Sequence, residues 1–146
     1  MLADLLRHLT GTPGPSPLHP DDYRLAMAAL MVRLARSDDQ YEAVERLRVE
    51  QMLIERYGLT KAAAEALRAE AERAEAAAAD TVQFTRLIKE AVPYEERVGV
   101  IEALWKVAGA SEVNADERGF LRLVANLIGV TDQDSGLARQ RVLGID

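Results

Sequence analysis

Two clusters of acidic and amide side chains are the residues of this chain whose types and spacing could do chemistry. The clusters consist of Asp38, Asp39, Glu42 and Glu45, and of Glu112, Asn114, Asp116 and Glu117. Hard divalent cations such as Ca²⁺ and Mg²⁺ prefer oxygen ligands of this kind. We therefore treat these eight residues as candidate ligands of a weak divalent-cation site.

The spacing within the clusters excludes an EF-hand. The EF-hand loop needs Gly at its sixth position and a bidentate Glu at its twelfth. Counting from Asp38 puts Ala43 and Val49 at those positions, and counting from Glu112 puts Glu117 and Leu123 there. Any cation site must therefore be of another type.

Helix capping is the alternative explanation of the same residues. Asp39 with Glu42, and Asn114 with Glu117, have the spacing of a capping box, and so does Asp80 with Gln83. In a capping box the first side chain accepts from the N3 amide and the N3 side chain reaches back. The sequence leaves both explanations open: caps alone, or an acidic surface for a cation or a protein partner.

The histidines and the single tryptophan are weaker candidates. His8 and His19 have no paired ligand at helical spacing, and a general base must be held in position. Trp105 could line a ligand cleft, but at helical spacing between Ile101 and Ala108 it is predicted to be core. A Gly-rich phosphate loop, a nucleophile elbow and an HExxH motif are all missing from the sequence. We expect no catalytic activity.

The acidic clusters lie in a pattern that occurs twice. Met-Val-Arg-Leu-Ala at 31–35 corresponds to Leu-Trp-Lys-Val-Ala at 104–108. An acidic stretch and an apolar helical pattern follow each, and then Gly-Leu-Thr at 58–60 or Gly-Val-Thr at 129–131. We interpret this as one helical hairpin used twice, and we expect its two acidic corners to face solvent near one another.

Apolar residues at helical spacing predict helices throughout the domain. The helix over 21–36 is apolar nearly all round, which predicts a central, buried position. The other predicted helices run from Asp39 to about Tyr57, over Lys61–Ala79, from Asp80 through Ile88, from Pro93 to Ala108, from Asn114 to Ile128, and from Thr131 to about Val142. We predict an all-α, single-domain bundle of about seven to eight helices, built from two similar helical-hairpin halves.

The N-terminal residues are organised differently. Four of the five prolines fall within residues 13–20, which favours a linker over residues 10–20. Residues 1–9 are predicted to form a separate helix that docks on the body or on another chain, as in a homo-oligomer. One face of that helix carries Leu2, Leu5, Leu6 and Leu9. The helical domain then covers residues 21–146.

Composition narrows the class of protein. The 146 residues, 49% apolar and 29% charged, fit one globular domain. The absence of Cys excludes disulfides and thiolate sites, and the N-terminus lacks a signal-peptide pattern. No window approaches about 18 apolar residues, so we expect no membrane insertion. A net charge of −6 disfavours nucleic acid. We expect a soluble cytoplasmic protein.

Three segments carry a resemblance to a known family. They are Val-Arg-Leu-Ala-Arg-Ser-Asp-Asp-Gln-Tyr-Glu at 32–42, the stretch over 84–108, and Leu-Ile-Gly-Val-Thr-Asp at 127–132. Together they resemble the tellurite-resistance TerB-like family over about residues 20–143. Its members typically carry an Ala-Asp-Gly-Glu corner in each half, which here reads Ser-Asp-Asp-Gln at 37–40 and Gly-Ala-Ser-Glu at 109–112. The lost glycines and the lost acid weaken any cation site that the family has.

The resemblance implies an all-α bundle of two similar halves, no known catalytic activity, and a link to tellurite and other stress in bacteria. TerB-like modules also occur attached to J-domain co-chaperones, which favours an interaction role. We therefore predict a non-enzymatic, stress-associated helical module that presents an acidic surface to a protein partner or a divalent cation. The alternative is an enzyme or small-molecule binder that uses a cleft between the two halves near Trp105.

Overall fold

A computed structural model describes residues 20–37, 41–109 and 113–144. These residues form seven α-helices and no strand: α1 (Pro20–Ala35), α2 (Ala43–Tyr57), α3 (Lys61–Ala77), α4 (Val82–Ala91), α5 (Tyr94–Ala108), α6 (Ala115–Ile128) and α7 (Asp132–Leu143). The prediction of an all-α helical bundle is confirmed. No helix in the described part of the chain has the length and apolar character needed to cross a membrane.

The predictions for the N-terminus lie outside the described residues. They concern the helix over 1–9, the linker, and the two histidines. Pro20, at the junction of the predicted linker and the first predicted helix, is the first residue of α1. That position suits proline because its missing N–H would have no partner within the helix.

The helix α1 is the centre of the bundle. Every residue from Leu25 to Val32 is buried, and α1 packs against α2, α3, α4, α5 and α6. A helix that is apolar on all sides can be covered only when other helices surround it. The prediction that this helix is central and buried is confirmed.

The helix α3 packs against α1 and α2 through small side chains. Its buried residues are Ala64, Ala71 and Ala74. The predicted pair between Arg68 and Glu72 is present, with Nη1 and Oε2 2.9 Å apart. The helix ends at Ala77, two residues before the predicted Ala79.

The boundaries between helices are set by matching caps in two places. The Thr60 hydroxyl accepts from the N–H of Ala63 at 3.1 Å, and the Thr131 hydroxyl accepts from the N–H of Asp134 at 3.1 Å. Gly58 and Gly129 end the preceding helices in the left-handed region, at φ 64° and 82°. Glycine is favoured there because it has no Cβ to clash.

Two of the predicted capping boxes are wrong. The helix α2 begins at Ala43 with Glu42 as N-cap, so the predicted box at Asp39 is displaced by one turn. The Glu45 carboxylate accepts from the backbone N–H of Glu42 at 3.0 Å. At the start of α4, Asp80 accepts from the N–H of Val82 at 3.0 Å, a local turn contact and not a box with Gln83.

Arginines of α1 and α3 connect the first three helices, and we call this group the arginine clamp. The Glu75 carboxylate pairs with Arg33 at 3.1 Å and with Arg36 at 3.0 Å, so α1 is held to the end of α3. Arg68 of α3 pairs with Glu50 of α2 at 2.6 Å. These side chains are half-buried or buried, so water competes little for their hydrogen bonds.

Candidate functional site

The ends of four helices enclose a cavity of ≈ 210 Å³, which we call the corner cavity. Its lining residues are Ala35, Glu45, Arg48, Val107, Ala108, Asn114 and Glu117. Ala35 and Ala108 are the last residues of α1 and α5, while the polar residues belong to the first turns of α2 and the start of α6. The cavity therefore brings together residues from both of the predicted acidic corners.

Capping bonds fix the carboxylates at the wall of the corner cavity. The Glu45 bond to the N-cap of α2 has its counterpart in α6, where Glu117 accepts from the N–H of Asn114 at 3.3 Å. The Asn114 side chain accepts from the N–H of Glu117 at 2.8 Å. The predicted capping box of Asn114 and Glu117 is confirmed. The same two residues therefore cap α6 and line the corner cavity.

Arg48, which the sequence indicates only as a helix-surface partner of Glu45, brings a positive charge into the corner cavity. A Cβ at Gly109 would lie 3.2 Å from Arg48 Nη1, so glycine there lets the guanidinium approach the end of α5. Gly109 also has φ 82°. One signal was available in the sequence: Arg48 follows Glu45 by three residues, and residues at that spacing share a helix face.

The other predicted ligands are divided between exposed positions and undescribed residues. Glu42 and Asp116 are exposed and do not line the corner cavity. Asp38, Asp39 and Glu112 lie outside the described residues. Within the described residues no group of three Asp, Glu or His side chains could hold a metal ion. The cation site stays a prediction that depends on the three undescribed acids.

Tyr41 fixes the chain where it leaves the first corner. Its hydroxyl donates to Glu72 Oε2 at 2.5 Å, and the guanidinium carbons of Arg36 and Arg46 lie 4.8 and 5.5 Å from its ring centre. Burial, and then the bond to Glu72, raise the pKa of Tyr41 above its usual 10.0. This attachment to α3 keeps residue 41 out of α2 and explains why the helix starts later than predicted.

Trp105 is a core residue, as predicted, with 7% of its surface exposed. It also lines a cavity of ≈ 270 Å³, the Trp105 cavity, together with Arg118, Arg122, Asp132, Ser135, Gly136 and Arg139. All of these residues belong to α5, α6 and α7. A separate cavity of ≈ 400 Å³, lined by Tyr23, Tyr57 and Gly99 among others, lies between α1, α2 and α5. The prediction that Trp105 lies at a cleft between the two halves is therefore corrected: its cavity is within the second half.

Comparison with known proteins gives one family. A model of the TerB family, described as Tellurite resistance protein TerB, matches residues 24–140, which is most of the chain and includes residues of all seven helices. No curated protein and no solved structure matches the chain. The chain therefore belongs to the tellurite-resistance TerB family.

Proposed function

We propose that this TerB-family module works without catalysis, and that the corner cavity is its contact site for a divalent cation or a basic protein partner. The observation that supports the proposal is that polar residues distant in sequence line the same cavity. Glu45 lies near the start of α2, while Asn114 and Glu117 lie at the start of α6. Asn114 follows Glu45 by 69 positions in the sequence, yet all three residues line one cavity. A role in stress and a cytoplasmic location are parts of the same proposal.

The undescribed acids are close in sequence to the cavity wall. Asp38 and Asp39 follow Ala35 by three and four residues, and Glu112 precedes Asn114 by two. The described wall contributes two carboxylates and one amide oxygen. Oxygen ligands of these kinds suit Ca²⁺ and Mg²⁺. Because Asp38 and Asp39 are adjacent, they are the first residues to test.

Arg48 sets the expected strength of cation binding. Its guanidinium shares the cavity with Glu45 and Glu117, so a cation entering the cavity is repelled by one positive charge while two negative charges attract it. We expect weak affinity for that reason. A protein partner with Lys or Arg side chains would meet the same carboxylates at the surface, where attraction falls with added salt.

The test is thermal unfolding with and without millimolar Ca²⁺ or Mg²⁺. A bound cation stabilises the folded state by RT ln(1 + [L]/Kd), about 2.7 kcal/mol at a hundredfold excess over Kd. We expect the parent to be stabilised, an Asp38→Asn, Asp39→Asn double variant to lose the effect, and Arg48→Gln to increase it. A Glu95→Gln, Glu96→Gln double variant is the matched control, because it neutralises adjacent acids at the opposite end of α5 from the cavity.

The outcomes separate the forms of the proposal. If added cation raises the melting temperature of the parent and of the Asp38, Asp39 double variant equally, any bound cation lies elsewhere. No shift in any of the four proteins would contradict the cation form, and a protein partner would be the form that remains. A melting temperature that rises to a plateau with added cation in every protein except the Asp38, Asp39 variant supports the cation form.

A further inference from the structure

The cavity of ≈ 400 Å³ between α1, α2 and α5 has both aromatic and aliphatic lining residues, and we call it the Tyr57 cavity. Tyr23 and Tyr57 contribute aromatic rings, and Ala91 and Val92 at the end of α4 contribute aliphatic surface. The volume lies within the range of about 300–1,000 Å³ that is usual for small-ligand pockets. The cavity can therefore hold an organic molecule with an apolar body.

Two guanidinium groups lie close to the ring of Tyr57. The guanidinium carbon of Arg24 is 5.0 Å from the ring centre, and that of Arg56 is 5.8 Å from it. Among the ion pairs that the described residues form, none includes Arg24 or Arg56. A contact with a ring does not cancel the charge of an arginine. The surroundings of Tyr57 therefore attract an anion, although the whole chain carries a net charge of −6.

The guanidinium of Arg56 lines the Tyr57 cavity with hydrogen-bonding capacity to spare. Its Nη1 donates to the carbonyl of Gly99 at 3.2 Å, which ties the end of α2 to α5. Its Nε is buried and has no hydrogen-bond partner within the described part of the chain. A guanidinium has five N–H donors in a planar fork that matches the two oxygens of a carboxylate. A carboxylate in the cavity would find donors that the protein itself leaves unused.

The phenol of Tyr57 adds a neutral donor at the same cavity. Burial raises the pKa of the phenol above its usual 10.0, although the charge of Arg56 opposes this change. The phenol therefore keeps its proton at neutral pH. A protonated hydroxyl can donate a hydrogen bond to an anion.

Glu96 limits the charge that a ligand can carry. It is the one carboxylate among the lining residues of the Tyr57 cavity, and it is exposed in the first turn of α5. Its charge repels a dianion such as phosphate about twice as strongly as a monoanion, and it attracts an ammonium group. The lining therefore suits a monocarboxylate better than a phosphate.

We propose that the Tyr57 cavity binds a small organic monocarboxylate, with the carboxylate at Arg56 and the apolar body against Tyr23, Ala91 and Val92. The ligand is either a simple acid or an apolar amino acid, whose ammonium group would face Glu96. This site shares no lining residue with the corner cavity and does not depend on the function proposed for it.

Nuclear magnetic resonance of the full-length, isotope-labelled protein tests the proposal at neutral pH. Amide chemical shifts of Tyr57, Val92 and Gly99 are followed while hydrocinnamate, phenylalanine or hydrocinnamamide is added at constant ionic strength. Hydrocinnamate is phenylalanine without the ammonium group, and hydrocinnamamide is its uncharged amide. We expect saturable shifts with at least one carboxylate. The amide should bind about tenfold more weakly or not at all, because charge-assisted hydrogen bonds are lost.

Three variants keep the test decisive. Arg56→Gln should raise the Kd of the carboxylate about tenfold. Arg73→Gln is the matched control, because it removes an exposed arginine from α3, which contributes no lining residue, and it should leave Kd unchanged. Ala91→Leu fills the cavity without altering any charge and should abolish saturation. Circular dichroism checks that each variant is folded.

Glu96→Gln distinguishes the two kinds of carboxylate. An amino-acid site binds phenylalanine more tightly than hydrocinnamate, and this advantage disappears in Glu96→Gln. A simple-acid site gives phenylalanine no advantage, and Glu96→Gln lowers the Kd of hydrocinnamate because a repulsive charge is removed.

Three results would overturn the proposal. The first is the absence of a saturable shift with either carboxylate. The second is an amide that binds as tightly as the better carboxylate. The third is equal weakening by Arg56→Gln and Arg73→Gln, because the attraction would then come from the overall charge.

Discussion

The first three helices and the last three differ in the surroundings of their arginines. In the arginine clamp, Arg33 and Arg36 share Glu75, and Arg68 is held by Glu50 and Glu72. Around the Trp105 cavity, Arg118, Arg122 and Arg139 are lining residues, and the guanidinium carbon of Arg139 lies 5.2 Å from the ring centre of Trp105. The first arrangement joins arginines to carboxylates of neighbouring helices, while the second places arginines at the wall of a cavity. The same residue type thus connects helices in one region and lines a cavity in the other.

The two regions agree in how their helices begin and end. Thr60 and Thr131 make N-cap bonds of the same length, and Gly58 and Gly129 adopt the same left-handed conformation. They differ in the side chains between those boundaries. Local backbone signals are therefore matched in the two regions, whereas the polar contacts between helices are not.

The largest effect that we expect comes from the matching core positions Val32 and Trp105. Trp105→Ala should destabilise the protein by about 3 kcal/mol, at the lower end of the range for loss of a large buried ring, because one side of the indole already faces a cavity. Val32→Ala should cost about 2 kcal/mol, from two buried methyl groups and the space they leave. Urea unfolding measures both. A smaller cost for Trp105→Ala than for Val32→Ala would contradict the core role of the indole.

The next effect tests the arginine clamp against an exposed pair. Glu75→Ala should cost about 1.5–3 kcal/mol, because two arginines lose a charged partner in a half-buried place. Glu102→Ala removes the partner of Arg141, whose side chain is 52% exposed, and should cost about 0.2–1 kcal/mol. The same unfolding experiment compares them. Equal costs would mean that the clamp contributes no more than a surface pair.

A third pair of variants tests where the two regions should be alike. Thr60→Ala and Thr131→Ala each remove one N-cap bond, and each should cost about 1 kcal/mol. We expect the two values to agree within the error of the measurement. A difference of more than about 1 kcal/mol would show that cap strength is set by the surrounding packing.

The smallest effect is a change in the pH dependence of stability. Burial and the bond to Glu72 raise the pKa of Tyr41 in the folded state, so the unfolded chain releases the phenol proton first as pH rises. The contribution of Tyr41 is fully present below pH 10.0, the usual pKa, and is lost above it. As pH rises above 10.0, stability should fall more steeply in the parent than in Tyr41→Phe. If the stability of the two proteins falls in parallel as pH rises, Tyr41 is not the cause of the pH dependence.

The fold could be predicted from the sequence because its signals are local. The apolar pattern of α1, the glycine caps and the capping box of Asn114 and Glu117 each lie within a few residues. The start of α2 could not be predicted, because the contact of Tyr41 with Glu72 joins residues 31 positions apart. Tertiary contacts of this kind override a capping pattern in the sequence.

The candidate site was predictable only in part for the same reason. Glu45, Asn114 and Glu117 were identified as polar residues at helix starts, and the structure places them at one cavity. Arg48 was expected only as a surface partner of Glu45, because its place at the cavity depends on a close approach to Gly109, which follows it by 61 positions in the sequence. Trp105 was assigned to the right environment but to the wrong cleft, since sequence spacing does not give the direction of packing between helices.

The central position of α1 predicts that the helices packed against it unfold together. Five helices from along the chain cover it, and three of them, α4, α5 and α6, follow the arginine clamp in sequence. A fragment ending after α3 would expose to water the apolar surface that those later helices cover, which would favour aggregation over stable folding. We therefore expect the similar segments at 31–35 and 104–108 to unfold in one transition, and we expect neither region to fold stably after the chain is cut.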